Sequence, residues 1–194
     1  MRFTSVLVFT ILSVQGCALN AVSDPGELAT FHFRGEPIHP GAIQLLVGTL
    51  ADPLPVVTGV DLEGWSRCND HEPARTTEFG CVQWRPSQEY PDAYFEYCYA
   101  GRTPGGTHVI MTHESGGGSG IFEHLLLVRF ECSQSMFEGE PRSQIVMKSV
   151  GLMLLGDRQG GKAIVKGNKV TIGSWTGWLA HLENRTDSIE IVVD

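Results

Sequence analysis

The sequence predicts a mainly β protein with a single antiparallel β-rich domain, either a sandwich or a curled sheet, and one short helix at about 40–50. Two observations support this prediction. Between residues 93 and 193, segments rich in apolar and aromatic residues recur between short glycine-containing or polar turns, as half-buried strands do. Around residue 45, in contrast, the apolar residues repeat at helical spacing.

Two strands and a helix are predicted before residue 65. Alternation of apolar and polar residues over Thr30–Arg34 predicts the first strand, and a run from Pro55 to Leu62 predicts the second. The helix lies between them and begins near Pro40, because proline is tolerated in a first helical turn. Its apolar residues follow the i, i+3, i+4, i+7 spacing of one helix face: Ile43, Leu46, Val47 and Leu50.

The segment from about 65 to 92 is polar and contains three prolines, so an ordered loop is predicted there. The chain after it predicts a series of strands. Within the fifth of them, Lys166-Gly167-Asn168-Lys169 predicts the turn of a hairpin. The predicted strands are Ala93–Tyr99, Thr107–His113, Ile121–Cys132, Ser143–Leu155, Lys162–Ile172 and Ser188–Val193.

The charge balance restricts the classes of partner. The chain has a formal net charge of −8. Nucleic acids and anionic membrane surfaces are bound by basic patches, so this composition argues against both. A basic protein is the partner that the charge favours.

The first seventeen residues have the pattern of an export signal. A basic start, Met1-Arg2, precedes a largely apolar run from Val6 to Val14, and Val14-Gln15-Gly16-Cys17 follows. The apolar run is too short to span a bilayer permanently. Through Val14, Gly16 and Cys17 the segment resembles a bacterial lipoprotein precursor.

That resemblance implies that residues 1–16 are a cleaved signal peptide and that Cys17 becomes the lipid-modified N-terminus. Residues 17–28 would then form a tether to the membrane and residues 29–194 the β-rich domain. The lipoprotein family also implies a location in the bacterial cell envelope, facing the periplasm. Ala18 after the cysteine favours the outer membrane in that family. The alternative is an ordinary secretory peptide cleaved after Gly16, Ala18 or Ala21.

Four further cysteines predict two disulfides in an exported chain: Cys68, Cys81, Cys98 and Cys132. Three pairings are formally allowed. Cys68 and Cys81 flank one polar loop, whereas Cys98 and Cys132 lie in two predicted strands. We therefore expect the pairs Cys68–Cys81 and Cys98–Cys132.

The densest group of chemically versatile side chains lies in residues 107–124, which predict two strands joined by a glycine-rich turn. If the strands are antiparallel, imidazoles and carboxylates approach one another across the turn. A transition-metal site is one use of such a set, and a hydrolase is another. Solvated polar side chains beside a turn are the simpler interpretation. The candidate ligands are His108, His113, Glu114, Glu123 and His124; no cofactor is predicted.

Taken together, these features favour a non-enzymatic, lipid-anchored envelope binding protein. Lipoproteins of this general type include inhibitors and immunity proteins that act against basic secreted or cell-wall-acting proteins. The segment 65–92 and the glycine-rich turn are the candidate binding loops, and their acids would contact a cationic cleft. Those acids are Glu72, Glu78, Glu114 and Glu123. The alternatives are the metal-binding protein or hydrolase and a structural envelope lipoprotein.

Overall fold

A computed structural model describes residues 28–48, 57–68, 72–86, 89–158, 161–173 and 188–193. The predicted signal peptide, Cys17 and nearly all of the predicted tether lie outside these residues. Within the described part, no helix combines the length and the apolar character needed to cross a membrane.

The fold is mainly β and antiparallel, so the predicted fold class is confirmed. A two-stranded hairpin comes first, a seven-stranded sheet forms the centre, and a three-stranded sheet follows. The strands are β1 (His32–Phe33), β2 (Glu36–Pro37), β3 (Gly59–Asp61), β4 (Arg75–Thr76), β5 (Val82–Trp84), β6 (Ala93–Arg102), β7 (His108–Gly116), β8 (Phe122–Phe137), β9 (Glu140–Asp157), β10 (Ala163–Lys166), β11 (Lys169–Ile172) and β12 (Ile189–Val192).

The seven-stranded sheet has the order β3-β9-β8-β7-β6-β5-β4, and the smaller sheet has the order β10-β11-β12. From β4 to β9 each strand therefore pairs with its neighbour in sequence. Strands β8 and β9 are the longest and meet at a turn whose two residues, Glu138 and Gly139, both have positive φ. That backbone is typical of the tightest hairpins. The predicted hairpin around Gly167 is also present, as β10 and β11.

Helix α1 (Pro40–Val47) confirms the predicted helix within the described residues. His39 caps it, because the imidazole Nδ1 accepts a hydrogen bond from the backbone N–H of Gly41 at 3.1 Å. The apolar stripe is buried as expected, with Ile43 and Leu46 both inaccessible to solvent. The hydrophobic pattern therefore specifies both the helix and the face that it buries.

Helix α2 (Leu62–Cys68) corrects the sequence prediction, which placed a strand up to Leu62 and an ordered loop from about residue 65. The strand is shorter, ending at Asp61. There the side-chain Oδ1 accepts a hydrogen bond from the N–H of Glu63 at 3.0 Å. A carboxylate in this position satisfies a free N–H of the first helical turn. Local capping therefore starts a helix that hydrophobic periodicity did not indicate.

Both faces of the central sheet bury apolar residues. Helix α1 and the β1–β2 hairpin pack on one face, against a cluster that includes Phe95, Tyr97 and Leu126. The three-stranded sheet packs on part of the other face, against Val109 and Met111. We call the first the helix face and the second the small-sheet face. Alternate residues of β6, β7 and β8 therefore belong to different layers.

We expect Phe95→Ala to lower the free energy of unfolding by about 3–5 kcal/mol, because Phe95 is completely buried on the helix face and truncation leaves a cavity. Urea unfolding followed by circular dichroism measures this. Val150→Ala is the matched control, since Val150 also lies in a central-sheet strand but is 47% exposed. Its cost should stay below about 1 kcal/mol. Equal losses in the two variants would contradict this description of the core.

Candidate functional site

The predicted group in residues 107–124 is divided between the two faces of the central sheet. β7 and β8 are antiparallel, as predicted, and His113 lies directly opposite Glu123. The next pair along the two strands is Thr112 and His124, so His124 lies on the opposite face of the sheet from Glu123. The helix face receives His108, Glu114 and His124, and the small-sheet face receives His113 and Glu123. The five residues consequently do not converge on one ion.

His108 is a core histidine. It is only 2% exposed, and its Nδ1 lies 3.2 Å from the Tyr99 hydroxyl. Its ring also contacts Phe31 and Phe130. Burial, followed by the positive charge of Arg102, lowers the pKa of His108 to about 4. The imidazole is therefore neutral and serves packing.

The other two members on the helix face also have structural partners. Gln44 of α1 donates a hydrogen bond to Glu114 at 3.1 Å, which links the helix to β7. His124 Nδ1 lies 3.4 Å from the Thr112 hydroxyl, and burial lowers the pKa of His124. Since Glu114 is buried, it presents little carboxylate surface to a protein partner. Its predicted role in binding is not supported by its position.

The small-sheet face carries a polar row that crosses five strands in register. Its members are successive cross-strand partners: Arg75, Gln83, Glu96, His113 and Glu123. The Arg75 guanidinium donates to the Gln83 side chain, and Gln83 donates to Glu96 at 3.3 Å. His113 Nδ1 lies 3.7 Å from Glu96 Oε1, and its Nε2 lies 4.0 Å from Glu123 Oε1. We call these five residues the polar row.

The electrostatics of the polar row are dominated by burial. Loss of water raises the pKa of Glu96, partly offset by the hydrogen bond from Gln83 and the charge of Arg75. The same loss of water lowers the pKa of His113. Burial, followed by the charges of Glu96 and Glu123, raises the pKa of the neighbouring Tyr94 hydroxyl. The row thus holds a neutral imidazole between two carboxyl groups, of which Glu123 is 4% exposed and is not available to a protein partner.

A disulfide joins Cys81 to Cys98, so the expected pairs Cys68–Cys81 and Cys98–Cys132 are wrong. Val82 is opposite Tyr97 in the β5–β6 ladder, which places Cys81 opposite Cys98 with Cα atoms 4.3 Å apart. That separation lies at the lower limit of the usual range for a bridge. Cys68 ends α2 instead, where its thiol is free and exposed.

The sheet order explains why Cys98 and Cys132 do not meet. Met111 of β7 lies opposite Cys98, and Leu125 of β8 lies opposite Met111. Cys132 is further along β8, opposite Ile145 of β9. With one strand between them and several residues of offset, the two cysteines are far beyond the roughly 7 Å limit for their Cα atoms. Cys132 is itself disulfide-bonded, but not to Cys98.

An exposed turn projects between β4 and β5. In this turn, defined as Thr77–Gly80 and called the Phe79 turn, the Phe79 side chain is 82% exposed. Gly80 N donates to Thr77 O at 3.0 Å, and Thr77 N donates to Cys81 O at 2.8 Å. Gly80 has φ 77°, which favours glycine. The disulfide at Cys81 adds a covalent link at its base, so the turn is held at both ends.

Two of the four predicted binding acids remain at the surface. Glu78 lies in the Phe79 turn and Glu72 lies shortly before β4, and both are exposed.

Ser115, the buried serine of the glycine-rich turn, accepts a hydrogen bond from Gly117 N at 3.3 Å. It therefore caps the turn, which does not favour a nucleophile in a hydrolase.

A charged cluster beside a cavity was not indicated by the sequence. The cavity, of about 600 Å³, lies among α1, α2 and β4, with Arg34 and Trp65 in its wall. Glu63, which is buried, accepts from Arg34 at 2.6 Å and lies 3.5 Å from both Arg67 and Arg142. The cluster connects the β1–β2 turn, α2 and β9. Its members are too far apart in the chain to form a local motif.

Comparisons with known proteins identify no relative: no protein-family model, curated protein or solved structure matches this chain.

His108 should make stability depend on pH. Its folded pKa of about 4 lies below the ordinary 6.5, so the unfolded chain binds the extra proton first as the pH falls. The contribution of the neutral His108 to the free energy of unfolding is complete at pH 7 and declines below about pH 6.5. By pH 4 about 3 kcal/mol of it is lost. Urea unfolding at both pH values measures the loss in the wild type and in His108→Gln. His32→Gln, which changes a partly exposed histidine, is the control. A loss that is the same in all three proteins would contradict the assignment.

Proposed function

We propose that this chain is a lipid-anchored protein of the bacterial envelope that binds a basic secreted or cell-wall-acting protein through the Phe79 turn. The observation that carries the binding proposal is the exposure of Phe79 on a turn fixed by backbone hydrogen bonds and by the Cys81–Cys98 disulfide. An exposed aromatic side chain on a rigid turn has the character of an interface anchor.

Rigidity is the physical reason why this turn is suited to binding. A mobile loop loses conformational entropy when a partner orders it, and that loss reduces affinity. The hydrogen bonds of Thr77 and Gly80 already hold the Phe79 turn in one conformation. Burial of one phenyl ring in a partner's pocket contributes about 2–3 kcal/mol. A fixed turn retains more of that gain.

Charge supports a basic partner. The whole chain is acidic, with a formal net charge of −8, and Glu72 and Glu78 are exposed beside or within the turn. Opposite charges around an apolar anchor increase the association rate and exclude acidic proteins. This arrangement matches an inhibitor or immunity protein better than an enzyme, because the predicted histidine and glutamate ligands lie on two faces.

The membrane anchor is proposed on the lipobox alone, and it requires the Cys17 sulfur to carry lipid rather than to take part in the disulfide of Cys132. Val14, Gly16 and Cys17 match the lipobox pattern, in which the cysteine becomes the lipid-modified first residue of the mature chain. Two or three acyl chains bind stably, since each buried methylene contributes about 0.8 kcal/mol and a single chain binds reversibly. The anchored chain would hold the Phe79 turn near the cell wall. A structural envelope lipoprotein shares the anchor but has no need of an exposed anchor residue.

Phe79→Ala should weaken binding to a basic cell-wall hydrolase at least about tenfold, which corresponds to about 1.4 kcal/mol. Lysozyme serves as the probe, and biolayer interferometry at low and high salt measures affinity. Glu72→Gln with Glu78→Gln should reduce the salt dependence. Met136→Ala is the control, because Met136 is 69% exposed in a different strand. No binding by the wild type, or equal binding by Phe79→Ala and Met136→Ala, would contradict the proposal.

Cys17→Ser should release the protein from the membrane fraction. Intact mass of the detergent-extracted wild type is expected to show a diacylated or triacylated chain that begins at Cys17, and the serine variant should lack that mass. Cys68→Ser is the matched control and should remain lipidated. Peptide mapping without reduction completes the test: since one sulfur atom cannot carry both a lipid and a disulfide, a disulfide-linked Cys17 peptide would exclude lipidation.

A further inference from the structure

The small-sheet face contains a group of potential metal ligands that are far apart in the sequence or paired in a disulfide, so no sequence motif indicates them. The two sulfur atoms of Cys81 and Cys98 and a carboxylate oxygen of Glu96 all lie within 4.8 Å of one another. The register explains the group, because Cys81 and Cys98 are cross-strand neighbours and Glu96 precedes Cys98 by two residues on the same face. The three donors come from two paired strands and need no loop to position them.

His113 extends this group from the next strand. It lies opposite Glu96, with its Nδ1 3.7 Å from Glu96 Oε1. Among the described residues this nitrogen is buried and has no hydrogen-bond partner. Buried polar atoms in proteins nearly always have a hydrogen-bond partner. Two oxygen or nitrogen ligands of a tetrahedral zinc ion are roughly 3.4 Å apart, which is close to the observed distance.

We propose that Cys81, Cys98, Glu96 and His113 bind one Zn²⁺ ion when the Cys81–Cys98 disulfide is reduced. Two thiolates, an imidazole and a carboxylate are a donor set that zinc accepts in tetrahedral geometry. His113 would bind through the lone pair of a ring nitrogen, which the neutral imidazole offers. The oxidised chain lacks the two thiolates and has no such site.

Reduction by a dithiol supplies the thiols. The disulfide bond between Cys81 and Cys98 breaks, the two thiols of the reductant are oxidised to a disulfide, and their two hydrogens pass to the cysteine sulfurs. Zinc binding then replaces those two protons, which go to solvent. The sulfurs must separate to the roughly 3.8 Å between two thiolates of a tetrahedral site, which side-chain rotation allows. Cys98 is partly exposed, so a reductant has access to the bond.

The ion would replace one cross-link by another at the same place. The disulfide fixes the end of the Phe79 turn at Cys81, and the metal would connect Cys81 to β6 and β7 in the reduced chain. The proposal is independent of the partner of that turn and of the lipid anchor, since it rests on side chains of β6 and β7 and on Cys81, which directly precedes β5.

The test is a Zn²⁺ titration in competition with a chromophoric chelator. One sample of the purified protein is kept oxidised, and the other is reduced with a dithiol that is then removed without air. We expect one equivalent of Zn²⁺ in the reduced sample and at least about 100-fold weaker binding in the oxidised sample. Co²⁺ in place of Zn²⁺ should show a thiolate charge-transfer band. Equal binding by the two samples, or no such band, would overturn the proposal.

Variants separate this site from adventitious thiols. Glu96→Gln and His113→Ala should each weaken binding about 10–100-fold, and Cys81→Ser should abolish it. Cys68→Ser and His124→Ala are matched controls that should bind as the wild type does. Circular dichroism checks the fold of each reduced protein. If Cys81→Ser does not fold, Glu96→Gln decides, because it keeps both cysteines. Unchanged affinity in Glu96→Gln and His113→Ala, or a reduced wild type that unfolds and binds no zinc, would overturn the proposal.

Discussion

The antiparallel register from β5 to β9 is the constraint on which the rest of the structure depends. Once Phe95 is opposite Glu114 and His113 is opposite Glu123, the side chains of β7, β8 and of β6 up to the bulge after Tyr99 are each assigned to one face. A slip of one residue would move Phe95 and Leu126 out of the core and bring charged residues into it. Apolar burial on both faces therefore enforces the register.

The same register creates the features to which we assign function. It aligns the polar row across five strands and brings Cys81 opposite Cys98. The disulfide then anchors the Phe79 turn at the edge of the sheet. Core packing and the candidate sites thus depend on the same strand register, since a displaced strand would disrupt both. The partly buried polar groups are tolerated because their neighbours in the row satisfy many of them.

Several features were predictable because their determinants are local. The mainly β fold, α1, the β10–β11 hairpin and the approach of imidazoles to carboxylates across the glycine-rich turn each follow from periodicity or from a short turn. The incorrect disulfide pairs show the limit of such reasoning. Their position on either side of one polar loop favoured the pair Cys68–Cys81, but the partner of Cys81 is decided by which strand lies beside β5. Helix α2 was missed because its start depends on one side-chain cap at Asp61.

The sequence by itself determined the fold class, the acidic charge and the alternation that assigns neighbouring residues to opposite faces, since all of these depend on composition or short-range order. Only the tertiary structure decided that His108 is a core residue, that Glu114 and Glu123 are buried, and that Phe79 stands exposed on a fixed turn. Burial and proximity depend on strands far apart in the chain, and their assembly minimises exposed apolar surface over the whole domain rather than over any one segment.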